Sequence, residues 1–325
     1  PSSVRIFVGG AQRSGTSLMR SIIGSHSRVA FFPFDVKLWT KHLGDFSSWD
    51  FRDSDTVSQA VDRILVDEKV LIADVIPARD AVLKRLALIR SGEVRATDIF
   101  DAFLRSYADL RGREIYGLKT PWNEFHAEGI LNAFDDAVFV HVIRDPRKSA
   151  LSAIFVDGGS WFYDPMLHLT RWKRSANLAL ENKEKFGDRY QVVRYEDLAK
   201  DPAKAVAELM PALGLAYEEG MERGDKQPGW TGTNTSFAPS ASSGQRAPHE
   251  LPVGLRFLYE SRLAQELAHF DYTVSKQSPA RVAVALPGLW LRLLAVFLLH
   301  RGIEVKSSVG KMVTRLRSSK PVASA

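Results

Sequence analysis

The chain contains no cysteine. That excludes a disulfide framework, a thiolate metal site and cysteine nucleophile chemistry, and it fits a reducing compartment. Long apolar runs are also missing. The best candidate, Val282 to Leu299, is interrupted by Pro287, Gly288 and Arg292, and the piece from Leu289 is shorter than a bilayer requires. The visible start lacks the basic-then-apolar pattern of a signal peptide. Acidic residues are scarce at one end only. From Lys276 to Ala325 nine basic side chains face one acid, Glu304, a balance of +8, whereas the preceding 275 residues carry 35 basic and 37 acidic side chains. The body therefore offers no broad cationic face for nucleic acid, although a local cluster can still hold a phosphate. With 45% hydrophobic and 25% charged residues over 325, the chain is an ordinary globular one with material for a sizeable core.

Strands and helices alternate. Val4 to Val8 reads as a short strand, followed by Gly9-Gly10, a polar turn, and a helix over Ser17 to Ile23 with apolar residues at Leu18, Ile22 and Ile23. A buried strand over Ala137 to Ile143 stops at Arg144-Asp145-Pro146, with a helix from about Lys148, and a third strand is expected over Tyr190 to Tyr195. The pattern predicts an α/β fold of the P-loop-like, three-layer kind: a mainly parallel central sheet, helices on both faces and ligands at the carboxyl ends of the strands. One α/β domain is expected over 1–275. Within it, 41–111 is a helical insertion or cover with apolar positions at Val61, Leu65, Val82, Leu86, Ile99 and Phe103. Residues 224–252, rich in Gly, Pro, Ser and Thr, read as a long loop. Residues 276–325 form a basic, helical C-terminal tail in which Val305, Val309, Met312, Val313 and Leu316 repeat at helical spacing among lysines and arginines, as in an interfacial helix. A tail packed on the body is the competing expectation.

Gly10-Ala11-Gln12-Arg13-Ser14-Gly15-Thr16-Ser17 has the G-x-x-x-x-G spacing of a phosphate loop but carries Thr16 where a nucleotide triphosphatase has lysine. Without that lysine much of the reason to bind a triphosphate is gone. An anion cradle remains: loop N–H groups, the positive helix end and the Arg13 fork. Arg144 leaves the end of a buried strand and Ser152 follows eight residues later on the next helix, an arrangement that suits a terminal phosphate monoester, with an Arg144–Asp145 pair as the alternative.

The loop with Ser25-His26, the block Phe139 to Ser152 and the block Val192 to Leu198 with Asp201-Pro202 together resemble sulfotransferases that use 3′-phosphoadenosine 5′-phosphosulfate (PAPS), closest in flavour to the tyrosylprotein-type and bacterial branch. The resemblance covers about Val4 to Pro202 with gaps. It implies a sulfotransferase moving a sulfuryl group to an acceptor hydroxyl, of a carbohydrate, lipid, tyrosine or small metabolite, and leaving adenosine 3′,5′-bisphosphate (PAP). Arg13, Ser14, Gly15, Thr16 and Ser17 would hold the 5′-phosphosulfate, Arg144 and Ser152 the 3′-phosphate. Tyr195 would approach the nucleotide end or simply be a buried strand-end residue.

Lys119, in Gly117-Leu118-Lys119-Thr120-Pro121, resembles the family's Lys-Thr-Pro lysine, which reaches the transferring group and the leaving oxygen. Asp35, beside Phe31, Phe32 and Phe34, occupies the region of the family's glutamate base after a small gap. It is expected either to be a base whose proton affinity those rings raise or to cap a helix. Catalysis is thus expected of Asp35 and Lys119, with Arg13 at the transferring group. Ser236 and Arg246, in the loop Thr231 to Arg246, match by order the family's late cofactor-covering segment. Gly158-Gly159-Ser160-Trp161-Phe162-Tyr163 offers aromatic faces to an acceptor or forms a packed corner. His26, His42, His126 and His168 are expected to be structural. No metal is expected. The location is read as cytoplasmic, with peripheral attachment to an anionic membrane through the tail. The rival readings are a P-loop kinase and a non-catalytic protein binding a nucleotide or sulfated glycan on the same fold.

Overall fold

A computed structural model describes residues 4–71, 76–89, 93–156, 164–224, 250–274, 278–291 and 294. The described chain divides into two compact units, residues 1–145 with 172–246, and residues 146–171 with 247–325.

The first unit is built on five strands: β1 (Arg5–Gly9), β2 (Val29–Phe31), β3 (Ile115–Lys119), β4 (Ala137–Ile143) and β5 (Tyr190–Arg194). All four pairings are parallel and the order across the sheet is β2-β3-β1-β4-β5. β1 is central, with Phe7 opposite Leu118 on one side and Phe139 on the other. The strands read as near-continuous apolar runs because both faces are covered. On one face Ile6, Val8, Val29, Phe31, Val140 and Val142 pack with Leu18, Ile22 and Ile23 of α1 (Thr16–Gly24). On the other, Phe7, Phe32, Tyr116, Leu118, Phe139 and Tyr190 pack with aromatic side chains that include Trp39, Phe100 and Phe103. Alternation along β1, with Ile6 and Val8 to one core and Phe7 to the other, assigns each residue to its layer.

The segment expected to be a helical cover supplies α2 (Ser54–Leu65), α3 (Arg79–Leu86) and α4 (Ala96–Leu110). It is the crossover from β2 to β3, and its Val61, Val82, Leu86, Ile99 and Phe103 are buried in the aromatic core. After β3 a 3₁₀ turn (Asn123–His126) and α5 (Ala127–Ala133) lead to β4. The second unit contains α6 (Pro146–Val156), the start of α7 (Pro165–Phe186), α10 (Val253–Arg262) and α11 (Ala264–His269). The remainder of α7, then α8 (Tyr195–Lys200) and α9 (Pro202–Leu209), belong to the first unit. β5 ends one residue earlier than expected, so Tyr195 begins a helix and does not close a strand.

In the second unit Ser149 and Tyr259 flank the buried His168, Ser149 Oγ 3.3 Å from its Nε2 and Tyr259 OH 3.0 Å from its Nδ1. Residues 279–291 are helical. No helix among the described residues is long and apolar enough to cross a membrane.

Candidate active site

β1, β3 and β4 run parallel side by side, so the turn after β1, Lys119 and Arg144 all emerge at the carboxyl edge of the sheet. The expected loop leaves β1 at Gly9, takes Arg13 into the left-handed region (φ 66°) and enters α1 through Gly15 at φ 98°. A non-glycine residue held left-handed costs of order 1–3 kcal/mol, a cost that recurs at ligand-binding turns. Gly15 is required twice over: its φ suits glycine, and a Cβ there would lie 2.5 Å from the Tyr195 ring. No side chain caps α1, so its first N–H groups face the carboxyl edge without an internal acceptor. Ser14 is fully buried, and its Oγ has no hydrogen-bond partner. Thr16 and Ser17 open α1 and are partly exposed.

Arg144 follows β4 directly. Its Nη1 donates to the Arg13 carbonyl at 3.0 Å and its guanidinium stacks 4.2 Å from the centroid of the Tyr195 ring, while the buried Nε has no partner. Arg13, Gly15, Arg144 and Tyr195 therefore form one corner. Asp145 does not pair with Arg144 among the described ion pairs; its N–H donates to Glu196 Oε1 at 3.0 Å. Ser152 lies on α6 in the second unit and is partly buried. Ser236, Arg246 and residues 158–163 lie outside the described residues.

A second corner gathers Asp35, Lys119 and Arg20. Lys119, the last residue of β3, is buried, and its Nζ donates to Asp35 Oδ1 at 2.9 Å. Arg20 Nη1, from the buried face of α1, reaches the same oxygen at 3.5 Å. Thr120 Oγ1 donates to the Val36 carbonyl at 2.8 Å and so pins the Asp35 segment to the end of β3. Burial lowers the proton affinity of Lys119 below that of an ordinary lysine; Asp35 opposes the drop, and the charges of Arg20 and Arg13 add to it. The surroundings of Asp35 differ from those expected: Phe31 and Phe32 are sequestered in the two cores, and cations are what meet the carboxylate. Nor is Asp35 a cap, since the helical turn that follows begins after Lys37 without a side-chain cap.

Three of the four histidines have hydrogen-bonding neighbours that fit a structural place, His168 among them as described above. The buried His26 sits 3.1 Å from the Ala216 carbonyl, and His42 is 3.0 Å from Asp67. Sequence reasoning overlooked Arg20 and Glu124. Arg20 was detectable as one cation on an apolar helix, flanked by Leu18, Met19, Ile22 and Ile23. Glu124 left no trace except its place five residues after Lys119. Among the described residues no group of three or more His, Asp or Glu side chains is placed to hold a metal.

A wholly parallel sheet whose carboxyl edge carries a glycine turn, three arginines and a buried lysine defines an α/β protein built to hold an anionic group there. A sequence model of the Sulfotransferase family matches residues 5–219, more than half of the chain, and the chain belongs to that family. Among solved structures it is similar to the sulfotransferase domain of the Synechococcus PCC 7002 olefin synthase, with 19% identity, 85% of this chain and 96% of that one covered, and a TM-score of 0.51. It is similar also to the sulfotransferase domain from the curacin biosynthetic pathway, with 17% identity, coverages of 84% and 99%, and a TM-score of 0.51. At these identities the likeness is one of fold. No curated protein matches the chain. Family and fold together give sulfuryl transfer, in general terms, as its chemistry.

Proposed function

We propose that the protein is a PAPS-dependent sulfotransferase acting on a hydroxyl acceptor. The observation that carries this reading is the pair of buried donors without partners, Ser14 Oγ and Arg144 Nε, set in one corner with the turn after β1. Buried polar atoms are seldom left unsatisfied, and two donors beside an uncapped helix start fit an anionic ligand. In this reading Arg13 to Ser17 hold the 5′-phosphosulfate and Arg144 the 3′-phosphate. Tyr195 packs against both Gly15 and Arg144 and so ties the two grips together.

When bound, the donor supplies the activated sulfuryl group. Asp35 accepts the acceptor's hydroxyl proton, and Arg20 and Lys119 orient its carboxylate through Oδ1. Lys119 Nζ and Arg13 stabilise negative charge on the oxygen from which the sulfuryl group departs. Burial of Lys119 matters because a cation shielded from water stabilises developing charge more strongly. With Arg13, whose charge also acts on Lys119, the corner carries three cations against one carboxylate, a surplus suited to a polyanion.

Transfer of labelled sulfate from PAPS to fractionated cell extract tests the reading. A labelled product that disappears with Lys119→Met supports it. Magnesium-dependent ATP turnover without sulfate transfer would favour the kinase reading, and PAP binding without any transfer the non-catalytic one.

For the second unit we propose peripheral attachment to an anionic membrane. One side of the helix over 279–291 is packed: Val282 is buried, and a Cβ at Gly254 of α10 would lie 3.4 Å from Leu289 Cβ. Val284, Leu291 and Leu294 repeat at helical spacing on another side and are exposed, with Trp290 beside them. The basic sequence from Lys276 onward complements anionic headgroups; the repeat at 305–316 lies outside the described residues. Full-length protein should co-sediment with phosphatidylglycerol vesicles and a chain ending at Gln277 should not. Equal pelleting of the two would overturn the attachment.

A further inference from the structure

The turn after β1 is held from below as well as from its rim. Gly10 N–H donates to Glu124 Oε2 at 3.0 Å, across 114 residues of sequence. Glu124 is 1% exposed, and none of the described ion pairs includes it. Its other oxygen, Oε1, accepts from Ser175 Oγ at 3.3 Å. Ser175 Oγ lies 3.0 Å from His141 Nε2, and His141 Nδ1 lies 2.6 Å from Tyr190 OH. All four side chains are buried, and they come from the turn after β3, from α7, from β4 and from β5. A Cβ at Gly9 would stand 2.8 Å from the Glu124 nitrogen, so glycine at the end of β1 lets the Glu124 turn approach this closely.

The direction of the chain follows from the donor inventory. A serine hydroxyl has one proton, and Ser175 gives it to Glu124. Ser175 must then accept from His141, which fixes the Nε2–H tautomer and leaves Nδ1 to accept from the Tyr190 hydroxyl. Every proton in the series points toward Glu124, which ends it and accepts the backbone N–H of Gly10 as well. Burial pushes the His141 imidazole down to about 3, so the ring stays neutral and the tautomer order holds at ordinary pH.

We propose that Glu124 is a positioning residue for the donor's 5′ end: it fixes the Gly10 peptide, and a one-way hydrogen-bond chain from Tyr190 through His141 and Ser175 fixes Glu124. The proposal rests on the PAPS reading above. Gly10 N–H is spent on Glu124 and Ser14 N–H on the Ala11 carbonyl, which leaves the N–H groups at the uncapped start of α1 to meet the anion. A loop held on its underside loses less entropy when a ligand arrives.

Glutamine is the informative replacement. In Glu124→Gln the amide oxygen can keep the Gly10 bond, but the amide nitrogen must then donate to Ser175. Ser175 in turn donates to His141 Nε2, and His141 donates from Nδ1 to Tyr190. Glu124→Gln should therefore hold PAP within about threefold of wild type while moving His141 from the Nε2–H to the Nδ1–H tautomer, read by ¹⁵N NMR of labelled histidine. Glu124→Ala should weaken PAP and adenosine 5′-phosphate by the same factor, roughly tenfold, because the loss lies at the shared 5′ end. Ser175→Ala, which cuts the chain one step further back, gives a smaller loss of the same kind if Glu124→Ala does not fold. Unchanged affinity in Glu124→Ala, or an unmoved His141 tautomer in Glu124→Gln, would overturn the proposal.

Amide exchange of the peptide containing Gly10 separates this from failure of the PAPS reading. If wild-type protein binds no PAP, that reading fails, yet faster exchange at Gly10 in Glu124→Ala would still support the hold on the loop. Exchange equal to wild type would refute it.

Discussion

Asp35 and Glu124 are carboxyl groups near the same edge of the sheet, one bonded to Lys119 and the other five residues beyond it in sequence, and they are treated in opposite ways. Asp35, a third exposed at its side chain, meets Lys119 and Arg20 on one oxygen. Glu124, buried and without a cation among the described ion pairs, ends a series of neutral donors, and burial raises its carboxyl above the usual range. The rim is charged and unbalanced toward the positive; the layer beneath it is held by hydrogen bonds from neutral donors. Charges at the rim can reorganise around an incoming anion and a departing proton, whereas a buried polar chain permits one arrangement and so holds the loop's shape.

The largest expected effects break the charged corner. Asp35→Asn removes the proposed base while keeping its shape, and turnover should fall by roughly 10²–10⁴. Lys119→Met should cost roughly 10²–10³. PAP affinity should suffer far less than turnover in both variants, and a loss confined to affinity would remove these two residues from the chemistry. Smaller, but still large, is Gly15→Ala. It forces a side chain into a φ of 98° and against the Tyr195 ring, so PAP binding should weaken by about tenfold or more; calorimetric affinity equal to wild type would mean the turn is not the anion cradle.

The buried layer has its own signature in pH. His141 is neutral in the folded chain down to about pH 3 but takes a proton in the unfolded chain below about 6.5. Its folded value is depressed, so stability is lost as pH falls from the unfolded value toward the folded one, by about 1.4 kcal/mol per pH unit from this group. His141→Gln should flatten that acid limb in urea unfolding; an identical slope would show that His141 does not govern it. The smallest effect sharpens the rim: the lowered Lys119 value places loss of its ammonium, and the alkaline fall in kcat, below the pH of an ordinary lysine. Lys119→Arg should move that fall upward even at reduced rate.

β1, β4 and β5 were readable as apolar runs, β4 to the residue, because each is long enough for a run to stand out. β2, three residues after Arg28, and β3, interrupted by Gly117 and read only as the approach to a lysine motif, were too short or too mixed for periodicity to mark them. The same divide runs through the site. The loop, Lys119 and Arg144 are legible because glycine, proline and arginine stand at fixed local spacings. Asp35 required an alignment gap, and its cationic surroundings come from α1 and β3, not from its aromatic neighbours in sequence. Arg20 and Glu124 act across 15 and 114 residues respectively, on Asp35 and Gly10, and a contact of that range leaves no local pattern.

The account stands on the corner where Arg144 meets the turn after β1. Titration calorimetry of wild type and Arg144→Ala with PAP and with adenosine 5′-phosphate tests it most directly. The account predicts one PAP per chain and a loss on substitution at least tenfold greater for PAP than for the monophosphate. Equal losses for the two ligands, or a wild-type chain that binds neither, would contradict it.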